Sequence, residues 1–294
     1  MRSPAYSFYF FSGRRNVNGV DLNRNFPSQF RNGKIGKHVK MSNREIMKLS
    51  PSDPYNEGNN GYTEPETKAI MKWVLEKPFV LSLILHGGAA GAFYPYDDGI
   101  FKSYDNPSNM GYQSATPDND VMKFLANIYA SNHLDMHLGK PCDVGDAFGF
   151  KDGIGNGAKW YPLSGSMNDF NYIFSNAFEV TVELTCCKKP HPSTLPLEWR
   201  KNKNSLIEYL KQAHIGIKGI VTDKTGRRFS GAEIIVVGNN KKIVSTDRGE
   251  YWRLLMPGRY RVYARGCISR YCQNSDVRTV RVTKNKVKRV DFRL

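Results

Sequence analysis

The hydrophobic pattern of the chain changes near residue 215, and this change divides the chain into two units of different class. Before it, nearly continuous apolar runs alternate with segments of helical spacing, which is typical of an α/β layer architecture. After it, short alternating runs are separated by turns such as Pro257-Gly258. We therefore predict an α/β domain with a mixed sheet over residues 1–214 and a small all-β sandwich over residues 215–294.

The first unit is predicted to contain two strands and three helices joined by long loops. In chain order these are a helix from a Thr63–Glu66 capping box to Leu75, a buried strand at 79–85, a helix at 118–132, an interior strand at 177–185 and a helix at about 197–213. Residues 16–62 and 153–169 contain many Gly, Asn, Pro and Ser residues and are predicted to be loops.

Composition excludes two broad classes of protein. No apolar run approaches the roughly 18 residues that a membrane-spanning helix needs, so no such helix is predicted in this chain. Apolar residues make up 40% of the 294 positions and charged residues 24%, which argues against global disorder and allows a sizeable core.

The net charge of +16 is concentrated in the second unit. Residues 215–294 carry 19 Lys and Arg against 6 Asp and Glu, a net charge of +13, which leaves +3 for the first 214 residues. Such a surface attracts polyanions such as sulfated glycans, nucleic acid or acidic lipid headgroups. The alternative is a basic surface that is merely solvated. We expect no specific nucleic-acid partner.

The five cysteines are Cys142, the adjacent pair Cys186 and Cys187, and Cys267 and Cys272 in a predicted loop. No Cys-x-x-Cys pair occurs, which argues against a zinc ribbon. Disulfides of a secreted protein are favoured, with one cysteine left without a partner inside this chain. The first residues lack an aliphatic stretch and a small-residue cleavage site, so they are not predicted to be a signal peptide.

Two groups of residues in the first unit are suited to binding anions or metals. Arg14 and Arg24 lie in a polar segment, and guanidinium groups bind carboxylates bidentately at every working pH. Spacing alone is also compatible with a salt-bridged surface loop. His86 follows the predicted strand at 79–85, at the carboxyl end where α/β sheets gather ligands. A hydrogen-bonded structural histidine is the alternative.

Three further residues are candidates for substrate contact or proton transfer. Asp97 is either a turn residue or the floor of a pocket for a cationic side chain. Strand alternation places Glu179 and Glu183 on one face, and burial would make Glu183 a candidate general base. Tyr161 lies in the predicted 153–169 loop, either as a mobile clamp on the substrate or as a packing residue.

Four strings in this sequence resemble one known family, the zinc metallocarboxypeptidases, and within it the regulatory branch that includes carboxypeptidases D, E, M and N. The strings are GRRNVNGVDLNRNFP from Gly13, LHGG with YPYDD, WYPLSGSMNDFNY from Trp160, and FEVTVELTCCK from Phe178. The resemblance covers nearly the whole chain from Gly13 onward. It implies one catalytic Zn²⁺ per intact catalytic domain, and a C-terminal sandwich that is transthyretin-like and carries no catalytic residue.

The resemblance also implies a role for each candidate residue. Arg14 would polarise the scissile carbonyl, His86 would be the last of three zinc ligands, and Glu183 would be the general base. Asn23 and Arg24 would bind the substrate's terminal carboxylate, with Tyr161 closing over it. Asp97 would select C-terminal Arg or Lys, and Asn168 would occupy a second pocket position where glutamine is expected. The implied substrates are peptides and proteins with basic C-termini, and the implied location is extracellular or in the secretory pathway.

The chain departs from the family in its metal ligands. The family supplies the first two from an H-x-x-E motif, yet none of the six histidines here has Glu three residues later. We therefore expect an inactive fragment or short isoform that lacks an N-terminal zinc-binding segment. The alternative is a non-catalytic peptide-binding protein that retains the carboxylate clamp. His133 and His137 are not expected to form a substitute site.

The family also has a cysteine just upstream of the Gly13-Arg14 pair, and this chain has none there. In the family pattern that cysteine would pair with Cys187, which leaves Cys186 for Cys142.

Overall fold

A computed structural model of the chain describes residues 14–28, 30–31, 34–35, 42–49, 62–99, 112–142, 150–268 and 271–294. In the first domain the strands are β1 (Phe30–Arg31), β2 (Lys34–Ile35), β3 (Leu81–His86), β4 (Ala89–Tyr94), β5 (Ile154–Asn156) and β6 (Phe178–Thr185). The helices are α1 (Asn43–Ile46), α2 (Pro65–Glu76), α3 (Asn119–Asn132), α4 (Gly157–Trp160), α5 (Met167–Phe174) and α6 (Leu195–Lys211).

Four strands form a mixed sheet in the order β3-β6-β4-β5. Strand β3 runs parallel to β6, while β4 runs antiparallel to β6 and parallel to β5. Helices α3 and α6 pack against each other, and Tyr129 donates a hydrogen bond of 2.7 Å to Asn202 between them. The predicted mixed α/β class is confirmed, as are the helices near 118–132 and 197–213.

Three local predictions are wrong in detail. The predicted buried strand at 79–85 is β3, which is half-buried because it lies at the edge of the sheet among the described residues; Leu85 is 50% exposed. The N-terminus of helix α2 has no capping box, because its N-cap residue is Glu64 and no side chain accepts a hydrogen bond from the first turn. The 153–169 segment is not one loop, because β5, α4 and the start of α5 lie within it.

The second domain consists of short strands, as the alternating pattern predicts. They are β7 (Gly216–Thr222), β8 (Glu233–Val236), β9 (Ile243–Val244), β10 (Glu250–Arg253), β11 (Gly258–Ile268), β12 (Tyr271–Asn274), β13 (Arg278–Val282), β14 (Val287–Arg289) and β15 (Phe292–Arg293). One sheet contains β10-β7-β14, with β15 also pairing with β7, and the other contains β12-β11-β8-β9, with β13 pairing with β11. Buried residues of both sheets form one core, so the β-sandwich is confirmed.

Two disulfides are present, Cys142–Cys186 and Cys267–Cys272, and Cys187 is an exposed free thiol. The first pairing is the one that the family resemblance implies. Cys267 and Cys272 lie opposite each other on β11 and β12, so the prediction that they occupy a loop is wrong.

A buried polar network joins the two domains. Arg253 forms a two-pronged ion pair with Asp118, with nitrogen–oxygen distances of 2.7 and 3.0 Å, and both side chains are almost fully buried. Asn239 donates to the same carboxylate at 2.7 Å, and Tyr172 donates to it at 3.0 Å. These contacts fix the sandwich against the end of the first domain that holds the N-terminus of α3.

Within the described residues, no helix combines the length and the apolar character that crossing a membrane would require.

Candidate functional site

A cleft of about 460 Å³ opens at the carboxyl ends of β3 and β6. His86 is the last residue of β3, and the parallel register places it directly beside Glu183 of β6. Seven of the eight sequence-predicted site residues line this cleft: Arg14, Asn23, Arg24, His86, Asp97, Tyr161 and Glu183. The eighth, Asn168, lies behind the wall and contacts Asp97. The structure therefore brings all eight residues together.

The loop that carries the two arginines is held by its own side chains. Arg14 Nε lies 2.6 Å from Asp21 Oδ2, and Asp21 Oδ1 accepts a hydrogen bond of 3.1 Å from the main-chain N–H of Asn23. This cap begins a short 3-10 helix at Leu22–Arg24. The Asn23 side chain in turn accepts from the main-chain N–H of Met167, the first residue of α5, at 2.9 Å. Arg14 thus both forms a salt bridge and faces the cleft.

His86 and Glu183 are the two proton-carrying groups at the sheet end of the cleft. Burial, together with the charges of Lys188 and Arg14, lowers the pKa of His86 to about 4, so its imidazole is neutral near pH 7. Its Nε2 lies 3.3 Å from Asn23 Nδ2. Burial raises the pKa of Glu183, against the opposing charges of Lys188 and Arg14. Within the described structure, Glu183 Oε2 is buried without a hydrogen-bond partner, so it is free to accept one from a ligand or water.

The far end of the cleft has a buried carboxylate at its floor. Asp97 is 6% exposed, and its Oδ1 accepts a hydrogen bond of 3.2 Å from Asn168. Burial raises the pKa of Asp97, while hydrogen bonds from Ser166 and Asn168 and the charge of Arg24 act in the opposite direction. A cationic group in the cleft would favour the ionised form of this carboxyl.

Two neighbouring residues, Asp169 and Gly157, hold the Asp97 carboxylate in its position in the cleft. The Asp169 carboxylate accepts the main-chain N–H groups of Asp97 and Asp98 at 2.8 and 2.9 Å. Gly157 passes so close that a Cβ there would overlap Asp97 Oδ1. Sequence reasoning identified neither residue as functional. Asp169 could have been identified from the sequence, because it lies in the MNDFNY string. Gly157 could not, because nothing in the sequence distinguishes it from the other glycines of its segment.

Tyr161 lies at the mouth of the cleft and is 38% exposed. Its ring packs edge-on against Trp160, with ring centroids 4.8 Å apart. Lys188, which follows the adjacent cysteines, also lines the cleft and was missed by the sequence analysis. Its charge acts on the pKa of both His86 and Glu183.

The described residues do not fit a catalytic zinc ion. Such an ion normally takes three protein ligands and one water, but the described residues contain no group of three His, Cys, Asp or Glu side chains that could hold a metal. His133 is used structurally, since its Nδ1 accepts the main-chain N–H of Met136 at 3.0 Å. His137 Nδ1 lies 3.0 Å from the carbonyl oxygen of His133. His86, the one zinc ligand that the sequence predicts in this chain, lines the cleft.

Comparison with known proteins assigns the class. The zinc carboxypeptidase family model matches residues 7–205, and the carboxypeptidase regulatory-like domain model matches residues 216–294. The chain belongs to the zinc carboxypeptidase family, a family of metallocarboxypeptidases, which confirms the resemblance seen in the sequence.

Individual relatives are similar over most of this chain but are longer than it. Carboxypeptidase D of Drosophila melanogaster is 43% identical over 97% of the chain, which spans 18% of that protein. The carboxypeptidase N catalytic chain of Mus musculus is 40% identical over 96% of the chain, which spans 58% of the relative. Carboxypeptidase M of Mus musculus is 42% identical over 86% of the chain, which spans 50% of the relative.

Proposed function

We propose that this cleft recognises the C-terminus of peptides that end in Arg or Lys. The reaction that the zinc carboxypeptidase family would carry out at such a site is hydrolysis of the last peptide bond, which releases that residue. The observation that carries the proposal is Asp97, a buried carboxylate in a cleft that Arg14 and Arg24 also line. A basic C-terminal residue has one negative and one positive group, and the cleft is lined by groups of both charges.

Each residue is assigned a part in recognition or proton transfer. Arg24 and Asn23 bind the terminal carboxylate, because a guanidinium and an amide donate to its oxygens. Asp97 pairs with the substrate's ammonium or guanidinium group, oriented by Asn168. Tyr161 covers the bound residue, and Arg14 donates to the scissile carbonyl oxygen. Glu183 accepts a proton from an attacking water and passes it to the leaving amine as the C–N bond breaks.

We further propose that the 294-residue chain binds such peptides without turning them over. Support comes from the metal ligands, because His86 alone cannot hold zinc against solvent. A second function, a non-catalytic peptide-binding protein, is supported by the same observation. The two differ in whether zinc supplied together with the missing ligands restores hydrolysis.

The test is calorimetric titration of the purified chain with a short peptide ending in Arg, its Lys and Ala counterparts, and the Arg peptide with an amidated C-terminus. We expect the Arg and Lys peptides to bind, the Ala peptide to bind at least tenfold more weakly, and amidation to abolish binding. Asp97→Asn should remove the preference for basic ends. Asp276→Asn, which changes an exposed carboxylate far along the chain in the sandwich, is the matched control.

Equal affinity for the Arg and Ala peptides in the unaltered chain would overturn the pocket assignment. Metal analysis and a peptidase assay on the same sample address turnover: we expect well under one zinc per chain and no released arginine. If the catalytic proposal is correct, fusing an upstream segment that bears H-x-x-E to the chain should restore both zinc binding and release of arginine. Glu183→Gln in that fusion should then abolish hydrolysis while zinc stays bound. If the fusion binds zinc but releases nothing, the binding-protein alternative is favoured.

We also propose an extracellular or secretory location. It is supported by the two disulfides, which persist in oxidising compartments.

A further inference from the structure

The outer face of the second sheet of the sandwich carries a row of arginines. Along β11, alternate residues point outward, and Arg259, Arg261 and Arg265 are exposed while Val262 and Ala264 are buried. The neighbouring strand β13 adds the exposed Arg281 on the same face, because the antiparallel register places it directly opposite Arg259. Three arginines therefore follow a line of about 20 Å along β11, taking roughly 3.4 Å per residue from Arg259 to Arg265, and the fourth, Arg281, lies beside Arg259.

These four arginines differ from other exposed arginines of the same domain. Arg227, Arg248 and Arg289 each lie within 4 Å of a carboxylate, namely Asp223, Glu250 and Asp291. Among the residues that the structure describes, no salt bridge involves any of the four arginines in the row. Arg265 does lie directly opposite Glu233 of β8, but the described ion pair of that carboxylate is with Lys242, at 3.4 Å.

The pairing of Arg259 with Arg281 is unfavourable in the free protein. Like charges directly opposite each other on an antiparallel pair destabilise it. A cleft lies at this end of the two strands, lined by both arginines together with Lys284, Pro257 and Gly258. Three cations around one open cleft form a site for a small multivalent anionic group, and such a group would relieve the repulsion.

We propose that this face binds a sulfated glycan chain, with one sulfate in the cleft between Arg259, Arg281 and Lys284 and further sulfates along Arg261 and Arg265. A linear polyanion matches a linear row, and guanidinium forks match the oxygens of a sulfate. Binding of single-stranded nucleic acid generally adds a platform of stacking aromatics, but Tyr263 is the one aromatic side chain on the outward face of β11 between Arg259 and Arg265, and it is half-buried; Tyr260 points to the other face. The site is separate from the peptide cleft.

The experiment compares the full 294-residue chain with two variants of equal charge change. Arg259→Gln, Arg261→Gln and Arg281→Gln together remove three of the four arginines of the row, whereas Arg227→Gln, Arg248→Gln and Arg289→Gln together remove three paired arginines. We expect the affinity for a heparin oligosaccharide, measured by calorimetry or fluorescence anisotropy, to fall about tenfold or more in the first variant and less than threefold in the second. Affinity of the unaltered chain should fall steeply with added salt.

Two further binding measurements distinguish a sulfated glycan from other polyanions. A length-matched single-stranded DNA and vesicles containing phosphatidylserine should each bind more weakly than the heparin oligosaccharide at equal salt. Equal loss in both triple variants, or binding that salt does not weaken, would overturn the row as the site. Tighter binding to DNA or to vesicles would overturn the glycan assignment. In the absence of ligand, Arg281→Gln should melt no lower than the unaltered chain, and a large loss of stability would contradict the claimed repulsion.

Discussion

Lys241 of the sandwich hydrogen-bonds to the carbonyl oxygen of Ser175, the C-cap residue of helix α5, at 2.7 Å. It also donates to the carbonyl oxygen of Tyr172 and lies 4.8 Å from the centre of that ring. The amino group at this position donates to carbonyls that a helix end leaves unpaired, and its protonated form complements the helix dipole; burial lowers the pKa of Lys241 to about 7. The opposite end of α5 carries Asn168 and Asp169, which hold Asp97. One helix therefore contacts the cleft at one end and the second domain at the other.

Replacing Lys241 by Met should destabilise the whole chain. Lys241 is fully buried, so the substitution leaves two buried carbonyl oxygens without a donor, and we expect a loss of about 1–3 kcal/mol in the free energy of unfolding. Lys242→Met is the control, because Lys242 is exposed and only loosely paired with Glu233. Urea denaturation followed by circular dichroism measures both. Equal stability of the two variants would show that Lys241 does not cap the helix.

Replacing Arg253 by Met should cost more, about 3–5 kcal/mol, because it leaves the Asp118 carboxylate buried without its counter-ion. Adding Asp118→Asn should recover part of this loss, since the buried charge is then removed as well. The control is Arg248→Met, whose partner Glu250 is at the surface, and it should change stability by less than about 1 kcal/mol. A double-mutant cycle by thermal or chemical denaturation gives the coupling. Additive effects of the Arg253 and Asp118 changes would contradict a direct pair.

Glu179 should make stability depend on pH below neutrality. It is fully buried on β6 and accepts hydrogen bonds of 2.6 Å from Ser82 and Asn171, yet burial raises its pKa from 4.5 to about 7. The folded state then retains a proton that the unfolded state loses, so the Glu179 contribution to stability falls as pH rises from about 4.5 to about 7. Its full size is on the order of 3 kcal/mol.

Glu179→Gln, a neutral residue of the same shape, should lack this contribution. Its stability relative to the unaltered chain should rise across that pH range and level off above it. Glu208→Gln, at a partly exposed position paired with Lys211, should run parallel to the unaltered chain. A constant difference between Glu179→Gln and the unaltered chain from pH 4.5 to 7 would rule out titration of Glu179 in this range.

Gly157→Ala should damage recognition of basic C-termini more than it damages folding. The added methyl group would overlap Asp97 Oδ1, so the carboxylate must move from its hydrogen bond with Asn168. We expect at least a tenfold loss of affinity for an Arg-ended peptide and little change for an Ala-ended one. Gly99→Ala is the matched control, because a methyl group there makes only ordinary contacts. Equal affinities in the two variants would remove Asp97 from the binding site.

The elements that bear the cleft were predictable from local pattern. The apolar run at 177–185 predicted β6, and strand alternation then placed Glu179 and Glu183 on one side of it. The Gly87-Gly88 pair marked the end of β3 and so the position of His86 at the edge of the sheet. These predictions succeed because a period of two and a glycine turn are local properties of the chain.

The contacts that hold the cleft together were not predictable in this way. Asp169 acts on the main chain of Asp97, which lies 72 positions earlier, and Lys241 acts on carbonyl oxygens of α5, 66 and 69 positions earlier. Main-chain atoms are the same in every residue, so no side-chain pattern reports that they will be contacted. The edge position of β3 likewise depends on which strands pair, which its own apolar run does not specify.

The contact between Lys241 and helix α5 bears on how the two domains can be recombined. A chimera that joins this first domain to the sandwich of a relative would keep the junction sequence near residue 215 and still lose the cap, unless the incoming sandwich presents a lysine in the turn between its second and third strands. Compatibility of the two modules thus depends on side chains far from the splice point, Lys241 among them, and a hybrid chosen by junction alone would have a frayed C-terminal turn in the helix that supports the cleft.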